Sequence, residues 1–360
     1  MGMIKLDIVQ QRLHHQQISQ HTFTTPSDVV AWMGAMQAQD YTGAKHAIGL
    51  RLLNATDADI EQALVSKTII RTWPLRGTLH FVAAADLRWM LALMGSRLIA
   101  GNARRYKELE LDEATLLRSN DVLLNALMDG KQLTRKALLA ILEQNGISTK
   151  GQRAPYLLQR ASLDALICQS IMQRNDPTYI AIDDSLPGTK SLTRDEALAE
   201  LAKRYFTSHG PATLQDFVWW TGLPTVDARA GLESVKDELV QESIDGQIYW
   251  LNPSTPTLHK ESASLYLLPG FDEYMLGYRD RSAILDAEHA TKVVPGGNGV
   301  FKPIIVSNGR IVGTWKRTIK KDVVTVTPEP FTSLTDDETQ AFAAAAYRYG
   351  DYIGLSVSLA

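Results

Sequence analysis

The chain has 360 residues, of which 45% are hydrophobic and 21% are charged. This is a globular composition with enough length for two to four domains, and it excludes a fibrous or disordered protein. The formal net charge is −3, but residues 1–180 hold 20 Lys and Arg against 16 Asp and Glu, while the remaining residues carry a net −7. A surface that binds a polyanion should therefore lie mainly in the first half of the chain.

The sequence predicts neither a membrane span nor a disulfide. No stretch reaches the roughly 18 consecutive apolar residues that a span needs, and the N-terminal run MGMIKLDIVQQRLHHQQ lacks the apolar core of a leader. We therefore expect a cytoplasmic protein. Cys168 is the only cysteine. It lies in the apolar run DALICQSI, which we interpret as helical, with a buried and inert thiol.

A loose repeat organises the first 255 residues: amphipathic helical patterns followed by two β-prone runs, as in a winged helix. We place the first copy, with a connector helix, at residues 1–111 and the second at residues 112–190. The predicted helices of these copies cover 6–19, 26–36, 57–66, 86–107, 113–128, 134–144 and 152–167. Their predicted strands are TIIRTW, RGTLHFV, QSIMQR and TYIAID.

The third copy, at residues 191–255, carries the clearest local signals. Thr193 with Glu196 has the spacing of a capping box, Thr213 can cap a second helix and Gly222 can end it. A third helix should run to about Val235. The runs ELVQESI and QIYWL then alternate as strands around Asp245-Gly246, a strong hairpin signal.

After residue 255 the pattern changes to short β-prone runs, with turns at Asn308-Gly309 and Lys320-Lys321-Asp322. They predict a barrel or curled sheet at residues 256–360, closed by a helix from Thr335 to about Tyr349. The predicted fold is thus α+β, with tandem winged helix-turn-helix domains followed by a C-terminal β-barrel-like domain. A helix-turn-helix can place a helix in the major groove of DNA, although winged helices also serve as protein-binding modules.

Common catalytic and cofactor motifs are missing from the sequence. The eight histidines show no metal-ligand spacing, and PGGNG at 295–299 lies between β-prone runs without the Lys-Ser/Thr of a phosphate-binding loop. There is no G-x-S-x-G elbow, and the acidic residues are too scattered to single out a pair. We expect neither a metal nor an organic cofactor.

The run AWMGAMQAQDYTGAKHAIGLR places Gln37, Gln39, Asp40 and His46 in a small, apolar setting. On a continuous helix Gln37 and Gln39 would point about 200° apart. They can share a pocket only if the helix ends near Met36 and the backbone then extends. Two neutral amides could hold a water beside a sugar carbon that becomes cationic. Alternatively, they only cap backbone groups.

The run IIRTWPLRGTLHFV predicts a hairpin on which Arg71, Arg76 and His80 could share one face and contact DNA. It could equally be a solvated hairpin with His80 in the core. Further basic residues fall at the connector and at helix ends, where each could contact DNA or be a solvated charge: Arg104, Arg105, Lys107, Lys131, Arg135, Lys136, Lys150 and Arg153.

At MQAQD, RTWPLRGTLHF and LLPGFDEYMLGYRDRS the sequence resembles the bacterial AlkZ/YcaQ-like winged-helix DNA glycosylases, over nearly the whole chain. The resemblance implies that Gln37 and Gln39 position water and stabilise an oxocarbenium ion. Asp40 and His46, in the same run of the sequence, are our candidates for supporting residues. It also implies a hairpin that probes DNA, for which Thr72 to His80 is our candidate. Asp272 and Arg281 match the family's pattern, and either they contact DNA or Asp272 pairs with an arginine.

The resulting hypothesis is a monomeric, monofunctional glycosylase without a lyase step. It would excise N7- or N3-alkylated purines from double-stranded DNA, with interstrand crosslinks as a further candidate substrate, and would associate with the nucleoid. The rival hypothesis is a winged-helix regulator or lesion sensor without catalysis. A protein-interaction scaffold is a third alternative, recognisable by the absence of salt-dependent DNA affinity.

Overall fold

The computed structural model describes residues 7–186, 190–254, 264–297 and 299–360, and its fold is α+β. The helices are α1 Ile8–His15, α2 Pro26–Met33, α3 Tyr41–Gly49, α4 Asp57–Val65, α5 Leu87–Gly101, α6 Ala103–Glu108, α7 Glu113–Leu127, α8 Arg135–Gln144, α9 Arg153–Leu163, α10 Ile182–Ser185, α11 Arg194–His209, α12 Leu214–Thr221, α13 Thr225–Val235, α14 Glu273–Leu276, α15 Ala290–Val293 and α16 Asp336–Ile353. The strands are β1 Met36–Gln37, β2 Ile69–Leu75, β3 Thr78–Ala83, β4 Leu133–Thr134, β5 Ile167–Gln173, β6 Asp176–Ala181, β7 Val240–Ile244, β8 Gln247–Leu251, β9 Leu265–Leu268, β10 Ile304–Ser307, β11 Arg310–Lys320, β12 Val323–Pro330 and β13 Ser356–Leu359.

The chain divides into two compact units. The terminal unit joins Met1–Ile60 to Leu198–Ala360, and the middle unit is Glu61–Ala197. The stretch predicted as the first domain, residues 1–111, therefore contributes to both units. Helical and strand periodicity identifies elements but carries no information about which elements pack together. The division at 111/112, 190/191 and 255/256 stays a prediction about motifs along the chain.

The middle unit is built around two antiparallel hairpins, β2–β3 and β5–β6. Strands β2 and β5 pair with each other, and β4 pairs with β6, so that β3, β2, β5, β6 and β4 lie side by side in that order. Helices α7, α8 and α9 contribute a leucine-rich core. Cys168 lies in strand β5 rather than in the predicted helix, and it is fully buried. Burial raises the pKa of its thiol to about 12.

In the terminal unit, helices α12 and α13 are followed by the β7–β8 hairpin, as predicted. Thr213 and Asp216 form a capping box at the start of α12, and Gly222 ends that helix in the left-handed conformation. Asp245 and Gly246 both have positive φ at the hairpin turn, which the type I′ geometry requires. These local signals depend only on neighbouring residues, and each predicted its element correctly.

The C-terminal part of the terminal unit is an open sheet, with β13, β12, β11, β10 and β9 in that order. Neighbouring strands from β9 to β12 are antiparallel, and β13 runs parallel to β12. Since β9 and β13 are the two edges, the curled sheet rather than the closed barrel is the alternative that the strand order favours. Helix α16 begins at a capping box formed by Thr335 and Glu338 and extends beyond the predicted end to Ile353.

Candidate active site

The segment that carries Gln37 and Gln39 is not helical: Gln37 lies in strand β1 and Gln39 in a bend two residues later. Helix α2 ends at Met33, earlier than predicted, and strand β1 begins at Met36. Ala38 is fully buried, whereas Gln37 is half-buried and Gln39 is exposed. Ala38 is therefore the buried residue of the motif, and the glutamine on either side of it is more accessible. The helix thus ends before the glutamines, as a shared site requires, and the shared site itself stays a prediction.

Contacts at the end of α2 hold the segment in place from the N-terminal side. Gly34 has a φ of 78°, and a Cβ added there would lie 3.4 Å from Trp220 Cη2 and 3.7 Å from Arg204 Cβ. Arg204 donates a hydrogen bond of 3.1 Å to the carbonyl of Ala31, while its Nε pairs with Glu200 at 2.7 Å. The turn out of α2 favours a glycine because of its positive φ, whereas a Cβ at this position would make only ordinary van der Waals contacts.

A buried carboxylate binds the backbone of the segment itself. The N–H of Gln37 donates to Oε1 of Glu273 at 2.9 Å, and the indole N–H of Trp220 donates to Oε2 at 2.8 Å. His209 Nε2 lies 3.5 Å from the same Oε2. Glu273 is only 1% exposed. Hydrogen bonds to a buried carboxylate are strong, so the position of Gln37 is well defined.

Asp40 follows the glutamines directly and caps helix α3. Its carboxylate accepts the N–H of Gly43 at 3.1 Å. An aspartate at this place satisfies a backbone donor that the helix leaves unpaired and also interacts favourably with the helix dipole. The segment is thus bounded by the end of α2 and by the capped start of α3.

Asp272, the neighbour of Glu273, serves a structural role. Its side chain is fully buried and forms a bidentate pair with Arg51, with contacts of 2.8 and 2.9 Å. Arg51 also donates to the carbonyls of Gln16 and Ala47. Asp272 therefore cannot contact DNA, and its arginine partner comes from the end of α3, which ties that helix to the start of α14.

Arg281 is not the partner of Asp272. Its Nε donates to the carbonyl of Met275 at 2.8 Å, and its guanidinium lies over the rings of Trp219 and Phe301, at 5.5 and 5.3 Å from the centroids. Such stacking is typical of arginine. The sequence spacing alone did not distinguish this contact from an ion pair.

His46 faces an aromatic cluster rather than the glutamines. Its ring lies 4.8 Å from that of Tyr349, 5.3 Å from Tyr352 and 6.3 Å from Trp315. Burial lowers the pKa of His46 to about 3, and the charges of Arg317 and Arg51 contribute to that shift. Its Nδ1 is buried and has no hydrogen-bond partner among the described residues. The ring is therefore neutral near pH 7 and acts as a core residue.

Two of the basic residues predicted to contact DNA are buried in the middle unit. Arg71 is 6% exposed and donates to Gln169 Oε1 at 2.9 Å, and His80 is fully buried, with Nδ1 2.9 Å from the carbonyl of Thr78. Their burial argues against contact with phosphates and favours the alternative of a core-facing His80. Arg71 pairs with Phe81 and His80 pairs with Thr72, so Arg71 and His80 lie on opposite faces of the hairpin, and the prediction that they share one face was wrong.

The other basic candidates lie nearer the surface. Arg76 is half-buried at the β2–β3 turn, and Lys136 is exposed in the first turn of α8. Arg104 and Arg105 both pair with Glu108, at 3.4 and 2.8 Å. Arg153 donates from its guanidinium to the carbonyls of Ser148, Leu109 and Glu110, which is a structural contact.

The sequence did not single out an exposed basic feature at the end of the β11–β12 hairpin. Lys320 and Lys321 are exposed there, together with Ile319 at 53% and Val323 at 40%. The Lys-Lys-Asp turn was visible, but its exposure depends on packing. Within the described residues, no cluster of three metal-ligating side chains occurs, and no helix is long and apolar enough to cross a membrane.

Comparisons with known proteins agree with this architecture. The interstrand DNA cross-link repair glycosylase of Streptomyces sahachiroi is 26% identical over 350 residues, covering 88% of this chain and 89% of that protein. The solved structure of Streptomyces sahachiroi DNA glycosylase AlkZ superposes with a TM-score of 0.80 at 22% identity, covering 98% of each chain. The family model for AlkZ-like DNA glycosylases matches residues 30–352. The chain therefore belongs to the AlkZ-like family of DNA glycosylases.

Proposed function

We propose that the protein is a monofunctional DNA glycosylase that hydrolyses the N-glycosidic bond of N7- or N3-alkylated purines in duplex DNA. The observation that carries this proposal is that helix α2 ends before the Gln37-Ala38-Gln39 motif, whose two glutamines flank a buried alanine. Because the motif is not helical, its two amides are not held about 200° apart, as a continuous helix would hold them.

The reaction needs only modest electrostatic assistance from the two amides. A purine alkylated at N7 or N3 already carries a positive charge, so it leaves readily and the sugar becomes an oxocarbenium ion. Gln37 and Gln39 hold a water against the anomeric carbon, and their carbonyl oxygens stabilise the developing positive charge. We assign no lysine nucleophile, so no imine forms with the sugar and the strand stays intact.

We propose winged helices as the DNA-binding elements, in two groups of helices followed by a hairpin: α7–α9 with β5–β6, and α11–α13 with β7–β8. For the hairpin that probes DNA we now propose β11–β12, because its end exposes lysines and aliphatic side chains, whereas Arg71 and His80 of the β2–β3 hairpin are buried. Arg76, Arg104, Arg105 and Lys136 remain candidate phosphate contacts.

The substrate class follows from charge on the leaving base. The relative from Streptomyces sahachiroi is named as a cross-link repair glycosylase. We propose simple N-alkylpurines as the substrates of this chain. The protein would act as a monomer in the cytoplasm, on nucleoid DNA. Crosslinked duplex is a second candidate substrate, to be tested beside the N-alkylpurines.

The experiment is incubation of the protein with a duplex that contains 7-methylguanine, and in parallel with a crosslinked duplex. We expect free 7-methylguanine and an intact strand that breaks only after alkali. Strand breaks before alkali would contradict the absence of a lyase step. Sequence-specific binding to undamaged DNA without any base release would instead support the rival regulator.

A further inference from the structure

We infer that Glu273 is a positioning residue for Gln37: its buried carboxylate fixes the backbone from which the first amide reaches the water. The inference rests on the proposed function, because the reaction needs both amides in place. It assigns a role to a residue of the FDEY run, Phe271-Asp272-Glu273-Tyr274, that has no part in the chemistry proposed above.

The carboxylate of Glu273 joins two donors from different parts of the terminal unit. Oε1 accepts the backbone N–H of Gln37 at 2.9 Å, and Oε2 accepts the indole N–H of Trp220 at 2.8 Å. Both groups can only donate, so each oxygen must act as an acceptor. A bond to the backbone N–H holds Gln37 whatever the conformation of its own side chain.

The surroundings of Glu273 allow it little movement. Asp272, the preceding residue, caps α14 and is locked to Arg51. His209 stacks on Tyr205 with ring centroids 4.7 Å apart and lies 5.2 Å from Trp220. A Cβ on Gly277 would come within 2.6 Å of His209, so the packing there is tight. Glu273 is thus a rigid support behind a half-buried amide.

The chemistry distinguishes a carboxylate from an amide at this place. In Glu273→Gln one terminal atom becomes an NH₂ group, which must face either the Gln37 N–H or the Trp220 N–H. Two donors repel, so the segment or the indole has to move. Adding Trp220→Phe removes one of the two donors, and the amide oxygen of the substituted side chain can then accept the Gln37 N–H.

A matched control exists in the same unit. Asp216 is also 1% exposed, and its carboxylate accepts the backbone N–H groups of Thr213, Arg279 and Asp280. These bonds belong to the cap of α12 and to the loop after α14, and none of them is made to the glutamine segment. Asp216→Asn therefore makes the same chemical change at another buried carboxylate, which controls for a general loss of stability.

The experiment measures single-turnover release of 7-methylguanine, DNA Kd and Tm for the wild type, Glu273→Gln, Asp216→Asn, Trp220→Phe and the Glu273→Gln/Trp220→Phe double variant. We expect Glu273→Gln to slow release by about 10- to 100-fold, because small displacements of a positioned group are that costly. Its Kd should stay within about twofold of the wild-type value. Asp216→Asn should lower Tm similarly but keep the wild-type rate. When Trp220→Phe is already present, adding Glu273→Gln should cost less than about threefold in rate.

Three results would overturn the inference: a wild-type rate for Glu273→Gln, an equal rate loss for Asp216→Asn, or the full loss persisting when Trp220→Phe is also present. The double variant has no clash of donors, so it answers the question even where Glu273→Gln alone does not fold. If the wild type itself releases no base, the proposed function fails. If the wild type releases base and Glu273→Gln releases it at the same rate, only the inference about Glu273 fails.

Discussion

Neighbouring residues of the FDEY run have separate tasks. Asp272 pairs with Arg51 and so holds α3, whereas Glu273 binds Gln37 and so holds the glutamine segment. Breaking a fully buried ion pair leaves a charge without compensation, at a cost of about 3–5 kcal/mol. The sequence showed that the run is distinctive, but an acidic pair gives no sign of which partners it will meet in a distant part of the chain.

Buried histidines make the stability of the protein depend on pH. Burial lowers the pKa of His15 to about 4 and that of His46 to about 3, and it lowers the pKa of His209 as well. In the unfolded chain these groups return to about 6.5. Below pH 6.5 the unfolded state therefore binds more protons, and stability that is complete above pH 6.5 is lost as the pH falls towards 4.

We expect the free energy of unfolding to fall by about 2–3 kcal/mol between about pH 7.0 and about pH 5.5, at up to about 1.4 kcal/mol per pH unit for each histidine. Urea denaturation at the two pH values measures it. His46→Leu should reduce this difference in the free energy of unfolding between the two pH values by roughly the contribution of one histidine. The substitution removes no hydrogen bond of Nδ1 to the described residues, because that atom makes none. An equal free energy at both pH values would contradict this assignment.

At the scale of elements, the glutamine segment is a short non-helical connection between two helices. Helical periodicity predicted a helix to residue 36, and the structure ends it at Met33, where Gly34 takes a positive φ. A glycine three residues before the motif was a visible stop signal. Helix α3 was not predicted, although Asp40 is a good N-cap for it.

The β11–β12 hairpin supplies the element-scale prediction. Replacing Lys320 and Lys321 with Gln should weaken DNA binding and lower the slope of log K against log salt by up to about 1.8, since each phosphate contact contributes about 0.9. Lys203→Gln/Lys236→Gln is the matched control, because those lysines already pair with Glu238 and Glu233. Equal salt slopes for the two double variants would show that this hairpin does not contact phosphates.

How well the sequence predicted an element depended on how local its cause is. The capping box at Thr213, the start of α16 at Thr335 and the Asp245-Gly246 turn are set by neighbouring residues, and they were predicted correctly. Strand β13 exists because it pairs with β12, and Arg71 is buried because β5 pairs with β2. Pairing of distant segments leaves no local pattern, so neither could be inferred from the sequence.

At the scale of the whole molecule, the terminal unit is assembled from both ends of the chain. It contains the glutamine segment near one end of the sequence and Glu273 and the β11–β12 hairpin near the other. The family match over residues 30–352 covers both units. The repeat of similar elements suggested domains that follow one another along the chain. Only the packing shows that the segment from Leu198 onwards belongs to the same unit as the first 60 residues.

The central claim is that Gln37 and Gln39 carry out base excision. Its most direct test is single-turnover release of 7-methylguanine from methylated duplex by the native protein and by the Gln37→Ala/Gln39→Ala variant, with DNA Kd measured for both. We predict that the variant loses at least about 100-fold in rate, the scale of a lost electrostatic and positioning group, while its Kd stays within about threefold. Release at the native rate by the variant would contradict the claim.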